Sequence, residues 1–179
     1  MLFRSLAASA LARCIGVPAV AVREGLHNFQ PAPHRINLVR TVSDIRFVDD
    51  SKATNAHAAE RSLQAYESVV WIAGGLAKGQ DFDDLVRRVS GRLRAVVLMG
   101  QDHQVLAGAL KRHARDVPVI TVEQTDTGAM SEVVRAAHRL AEPGDVVLLA
   151  PGCASWDMFR DYADRGEAFT TAVNELGSG

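Results

Sequence analysis

The chain has 179 residues, 47% hydrophobic and 23% charged, the composition of a folded domain long enough for one sizeable core. A formal net charge of −1 gives no overall attraction to nucleic acid or to an anionic membrane, so neither is expected as a partner. Two cysteines, Cys14 and Cys153, form no C-x-x-C pair and point to neither a disulfide framework nor a zinc site, which fits a reducing, cytoplasmic compartment.

In "MLFRSLAASALARC", Phe3, Leu6, Ala7, Ala10 and Leu11 recur at helical spacing, with Arg4, Ser5, Ser9 and Arg13 on other faces. A secretory signal shares the early Arg and small residues, but polar residues break this apolar run, so the pattern predicts an amphipathic helix. Gly16-Val17-Pro18 is a break, and Pro18 suits the first turn of a second helix reaching about Phe29. "QPAPHR", Gln30 to Arg35, has two prolines in four positions and marks a boundary between residues 1–33 and 34–179. Nothing approaches the roughly 18 apolar residues of a membrane span.

Beyond the boundary, short apolar stretches alternate with amphipathic ones. Strands are predicted at about Ile36–Val42, Arg46–Val48, Val69–Ala73, Ala95–Met99, Val119–Val122 and Val146–Ala150. Helices are predicted at about Asn55–Ala65, Phe82–Val89, Gln104–Arg115, Gly128–Leu140, Trp156–Ala163 and Gly166–Leu176. The first two strands can pair as a hairpin through Ser43-Asp44. The last five are continuously apolar, as parallel strands covered on both faces are. The expected fold is α/β: an open, mostly parallel, Rossmann-like sheet of about six strands, with helices on both faces and two helices in front.

Ligands of open α/β sheets bind beyond the carboxyl ends of the strands. Those ends read "DDSKATN" after Val48, "GGLAKGQD" after Ala73, "GQDHQ" after Met99, "EQTD" after Val122 and "PGCASWD" after Ala150. Caps and turns account for some of these residues; Asn55, for one, can serve simply as a helix cap. Lysine is the sharper signal. There are seventeen arginines but three lysines, Lys52, Lys78 and Lys111, and two of the three fall in these loops. A compact ammonium there can meet an anion, whereas near a helix N-terminus it is otherwise poorly placed. Lys78, in a glycine-flanked loop, is expected to reach a ligand without a fixed side-chain partner. Gly152 lets backbone approach a ligand, and Ser155 is expected to open a helix whose N–H groups form an anion site.

Rival chemistries are weaker. Ser155 lacks the G-x-S-x-G frame of a nucleophile elbow, and Cys153 reads as a small buried thiol. The six histidines show no metal-ligand spacing, and no G-x-x-x-x-G-K phosphate loop followed by Ser or Thr occurs. By themselves these residues define an anion-binding α/β domain.

In this order, "PHR", "DDSKATN", "GGLAKGQDF" and "LLAPGCASWDMFRDYADRGEAF" resemble the C-terminal domain of the Mur ligases, in the branch that adds D-glutamate during peptidoglycan synthesis. The resemblance covers about Pro33 to Gly177, and the helices before it look like the tail of the family's central ATPase domain. The D-S-K-A-T-N run is the specific element, since other Mur ligases and folylpolyglutamate synthases typically carry a histidine-containing D-x-A-H-N-P run there. The resemblance implies a reaction using ATP and Mg²⁺. The carboxylate of UDP-N-acetylmuramoyl-L-alanine becomes an acyl phosphate, the amine of D-glutamate attacks it, and phosphate leaves.

By the same resemblance, His34, Arg35 and Asp50 contact ATP, with Asp50 accepting from ribose hydroxyls. Lys52, Thr54, Lys78 and Ser155, with the aromatics Trp156 and Tyr162, surround D-glutamate and hold its two carboxylates. The family's phosphate loop, Mg²⁺ ligands and UDP-binding domain precede this segment, so no catalytic residue and no metal ligand is expected here. The chain is then expected to be a truncated ligase product, inactive by itself, with apolar residues of 1–33 available for self-association. The alternative, from a different class, is a stand-alone module that binds a small anion or nucleotide on the same scaffold without ligase activity.

Overall fold

Six short stretches pair into one sheet in the computed structural model, which describes residues 2–29, 32–124, 126 and 128–176, with side chains from Ser5 onward. Gln30 and Pro31 of the predicted boundary, Gly177, and the side chains of Phe3 and Arg4 lie outside the described residues. The chain divides into two units, residues 1–32 and 33–179. The first is a helix pair, α1 (Leu2–Cys14) and α2 (Ala19–Asn28). Gly16, at φ +86°, turns the chain out of α1, and Pro18 lies at the cap of α2. Leu6, Leu11, Ile15, Val20, Leu26 and Phe29 are exposed.

The second unit opens with β1 (Asn37–Val42) and β2 (Ile45–Asp49), the predicted antiparallel hairpin. Ser43 and Asp44 both adopt positive φ, +50° and +62°, as a two-residue turn matched to strand twist requires. In chain order there follow α3 (Ala56–Leu63), β3 (Val69–Gly74), α4 (Asp83–Val89), β4 (Leu93–Met99) and α5 (His103–His113). The chain then runs through β5 (Val119–Thr121), α6 (Ala129–Leu140), β6 (Val146–Leu149) and α7 (Tyr162–Asn174). The strand order is β1-β2-β6-β3-β4-β5, and every pairing except β1 with β2 is parallel.

Side chains alternate across the sheet with the period of two that a strand imposes. Val48, Trp71, Leu98 and Leu148 face α3, α4 and α5 through Leu63, Val86, Leu106 and Leu110. Phe47, Ile72, Val97 and Leu149 face α6 and α7 through Met130, Val133, Phe169 and Val173. Each such side chain removed from water stabilises by about 1.5–3 kcal/mol, so the two layers together fix the sheet. The three-residue strand β5 lies at the sheet edge beside β4, and its exposed Val119 departs from the expectation of cover on both faces. Among the described residues no helix is long and apolar enough to cross a membrane.

The predicted helix Trp156–Ala163 does not form. A single turn follows Ser155, whose carbonyl accepts from the N–H groups of Met158 and Phe159, and the helix proper begins at Tyr162. Asp161 explains the break: its backbone is extended (φ −160°), and its carboxylate accepts from the N–H groups of Ala163 and Asp164. That side chain caps α7, which then runs through Gly166, where a separate helix was expected to start.

Candidate functional site

Strand β6 lies between β2 and β3, so the chain leaving it emerges between the loops that follow those two strands. On one side, the Gly152 N–H donates to the Ala53 carbonyl at 2.8 Å. On the other, Leu76 and Ala154 exchange two backbone bonds of 2.9 and 3.0 Å in an antiparallel bridge. Gly75, at φ +129°, permits that approach; a Cβ there would overlap the Ala154 carbonyl oxygen. Gln80 ties the loops again, its Oε1 accepting from the Ala56 N–H and its Nε2 donating to the Ala77 carbonyl, both at 3.0 Å. The loops carrying Lys52, Thr54, Lys78 and Ser155 are thus stitched together at the carboxyl end of the sheet. The loop after β4 joins them through Asp102, which accepts from the Ala77 N–H, and through Gln101, whose N–H donates to Asp157. The loop after β5 includes Thr125 and Thr127, which lie outside the described residues.

Arg165, on α7, braces two of these loops from beneath and is 1% exposed. Its Nε donates to Ser51 Oγ at 2.9 Å, its Nη2 to the Ser51 carbonyl at 2.9 Å, and both terminal nitrogens to the Cys153 carbonyl at 3.2 Å. All of these partners are neutral, and burial pushes the guanidinium pKa down to about 10. Burial likewise pushes the Cys153 thiol up to about 12, which suits a packed side chain and not a nucleophile. Spacing did not single out Arg165 as a site residue. A signal was present, since Arg165 shares one helical stripe with Phe169, Ala172 and Val173, all buried.

His34 and Asp49 form a second hidden pair. His34 adopts φ +58°, and its Nδ1 lies 2.6 Å from Asp49 Oδ2, while Asp49 Oδ1 accepts from the Ser51 N–H at 2.8 Å. The imidazole meets the Tyr162 ring edge-on at 6.5 Å. Gly166 leaves room for the pair, because a Cβ there would overlap His34 Nδ1 and crowd Asp49. Asp50, beside it, is 5% exposed and accepts from the Ser62 hydroxyl. Burial raises its pKa, Ser62 and the Ile36 N–H lower it, neighbouring Asp49 raises it and Arg35 lowers it, with a net rise. Arg35 is exposed.

Each lysine at these loops meets an aromatic ring. Lys52 Nζ lies 5.2 Å from the Tyr162 ring centroid, and Lys78 Nζ lies 3.8 Å from that of Trp156. The expectation that Lys78 lacks a side-chain partner is therefore corrected. Thr54 is half-buried, its N–H donating to the Lys52 carbonyl at 2.9 Å. Ser155 is 3% exposed and starts one turn only, so the expected helix N-terminus at Ser155 is absent. Asn55 is the cap of α3, accepting from the Ala58 N–H at 2.9 Å. Among the described residues no group of three or more His, Cys, Asp or Glu side chains is placed to hold a metal ion. Two surface clefts, of about 590 and 450 Å³, lie by Leu110 and Val119 and by Tyr66 and Asp145, and neither includes a candidate residue.

Residues 34–153 match the Mur ligase glutamate ligase domain, and the chain belongs to that family. It is similar to the UDP-N-acetylmuramoylalanine–D-glutamate ligase of Thermobifida fusca, 62% identical over 172 residues, 96% of this chain and 37% of the relative. The enzyme of the same name from Streptomyces coelicolor is 59% identical over 174 residues, 97% of this chain and 37% of the relative. The chain thus spans 37% of the length of these relatives. In fold it is similar to UDP-N-acetylmuramate-alanine ligase of Thermotoga maritima, with a TM-score of 0.67 and 17% identity over 97% of this chain and 37% of that one. Folylpolyglutamate synthase of Mycobacterium tuberculosis, complexed with ADP, gives a TM-score of 0.62 and 18% identity over 88% of this chain and 36% of that one.

Proposed function

We propose that residues 34–179 form the part of an ATP-dependent ligase that binds incoming D-glutamate and touches ATP, and that residues 1–33 are the tail of the preceding ATPase domain. The ligase would join D-glutamate to UDP-N-acetylmuramoyl-L-alanine in peptidoglycan synthesis. The observation that carries this is the placement of Lys52 and Lys78 on the two loops that the β6 exit binds together. D-Glutamate presents two carboxylates, and two ammonium groups match them with charge-assisted bonds. Thr54 and Ser155 add hydroxyl donors. Arg165 adds positive charge below the loops, bonded to neutral partners and offset in part by the nearby carboxylates of Asp49 and Asp157. With both carboxylates held, the amine is the group left to turn toward an acyl donor. The relatives' names supply the amino acid itself.

For ATP, exposed Arg35 fits an anionic or stacked contact, with His34 oriented beside it by Asp49. Asp50 accepts from Ser62 on one carboxylate oxygen and keeps further lone pairs for a ribose hydroxyl. ATP and Mg²⁺ chemistry would come from segments outside this chain, which has no phosphate-loop sequence and should not turn over ATP alone. The test is a titration of the chain with D-glutamate, L-glutamate and acetate, followed by calorimetry. D-Glutamate should bind in preference to the others, and Lys78→Ala should weaken it roughly ten- to hundredfold for one lost charge-assisted bond. Equal binding of all three anions would favour a general anion-binding module and overturn the proposal.

A further inference from the structure

We propose that Trp156 and Tyr162 are positioning residues whose ring faces hold the ammonium groups of Lys78 and Lys52 in place before the two carboxylates of the ligand arrive. The inference rests on the D-glutamate reading of this surface and names how the site is set.

Trp156 is 65% exposed, a large apolar side chain left at the surface beside a charged loop. Its ring is covered in part by Lys78 Nζ at 3.8 Å, while Tyr162 lies 5.2 Å from Lys52 Nζ. Both rings come from one short segment, and that segment is fixed at several points. Ala154 is bridged to Leu76, Asp157 accepts from the Gln101 N–H, and Asp161 caps the helix on which Tyr162 stands. The other end of the Lys78 pair is fixed as well: its backbone is held at φ +52° next to Ala77, whose N–H is bonded to Asp102. Lys111, in the last turn of α5, meets no ring among the described residues.

The kind of partner matters. Lysine has a flexible four-carbon stem, so holding its ammonium beforehand reduces the ordering that binding must impose. A carboxylate would hold it too, but would cancel the charge and compete with the ligand. A ring attracts the ammonium through its quadrupole and leaves the positive charge and its N–H donors available to an anion. Two rings on one segment thus preset two cations for a ligand with two carboxylates.

The test uses the 179-residue chain. In the ligand-free protein, the side-chain methylene resonances of Lys78 should be displaced upfield by the indole ring current. Trp156→Leu should return them to the position of free lysine, and Trp156→Phe should keep part of the shift. For D-glutamate, Trp156→Leu should raise Kd roughly two- to fivefold, the effect of one exposed cation–π contact, with partial rescue by Trp156→Phe. In a Lys78→Met background the same change should have no further effect. Tyr162→Leu and Lys52 should behave as a second such pair.

Unshifted lysine resonances in a parent chain that binds D-glutamate would overturn the positioning role alone. So would an undiminished effect of Trp156→Leu in the Lys78→Met background, which makes Trp156 a direct ligand contact. Shifted lysines in a chain on which D-glutamate moves no resonance would sink the D-glutamate reading, and this inference with it.

Discussion

Replacing Arg165 by methionine keeps much of its buried volume and removes every bond the guanidinium makes. The carbonyls of Ser51 and Cys153 then lose the donors of Arg165, which a single ammonium could not replace in the same fork geometry. Relief of the desolvated charge offsets part of the loss. Arg165→Met should therefore cost about 2–3 kcal/mol, read as a lower urea midpoint at unchanged slope, and Arg165→Lys should recover little of it. Asp50 tests the opposite case. Its folded pKa is raised above the ordinary 3.8, chiefly by burial, so it favours the fold only while protonated. That contribution is present below the unfolded value and is lost as pH rises through the folded one. Asp50→Asn, which can still accept from Ser62, should gain stability over the parent at about pH 7, and the gain should shrink toward about pH 4. A gain that does not vary with pH would assign the effect to something other than the carboxylate.

Helix α7 shows how local chemistry overrides periodicity. Trp156, Phe159 and Ala163 recur at helical spacing, which is why a helix is predicted across them. Asp161 decides otherwise by satisfying two N–H groups of the helix that starts after it. Asp161→Ala should destabilise the chain by about 1 kcal/mol, as loss of an N-cap does, and should loosen the orientation of Tyr162 at the site. Gly166 lies farther along the same helix. Alanine in a helix interior ordinarily gains about 0.5–1 kcal/mol over glycine, but here its Cβ would overlap His34. Gly166→Ala should therefore cost about 1–3 kcal/mol, and combining it with His34→Ala should recover only part of that cost, because the Cβ still crowds Asp49, both measurable by thermal denaturation. The strands were easier to read, since a short apolar run such as Val69–Gly74 leaves little else to form. The loops that bear Lys52, Lys78 and Ser155 were legible from scarce lysines and from glycines. Arg165 and the His34–Asp49 pair were not, because their roles depend on contacts across 114 and 15 residues of sequence.

At the scale of the whole molecule, both apolar layers of the sheet are built from residues at Val39 and beyond, so the second unit carries its own core. Among its described residues the first unit has no comparable core. Its helices are 13 and 10 residues long, and α2 buries nothing. Helices of that length are marginal in water unless an apolar face is covered. Leu6, Leu11 and Ile15 are 61%, 70% and 83% exposed, with Val20, Leu26 and Phe29 exposed on or beside the second helix. That much apolar surface on so small a unit favours burial against another protein surface, and in a purified sample the surface at hand is a second copy. The chain should therefore sediment as a concentration-dependent dimer or larger species. Removal of residues 1–32 should yield a monomer with the same urea midpoint, because no core residue is lost. A parent chain that stays monomeric at all concentrations would overturn the self-association, and a shortened chain with a clearly lower midpoint would overturn the independence of the second unit's core.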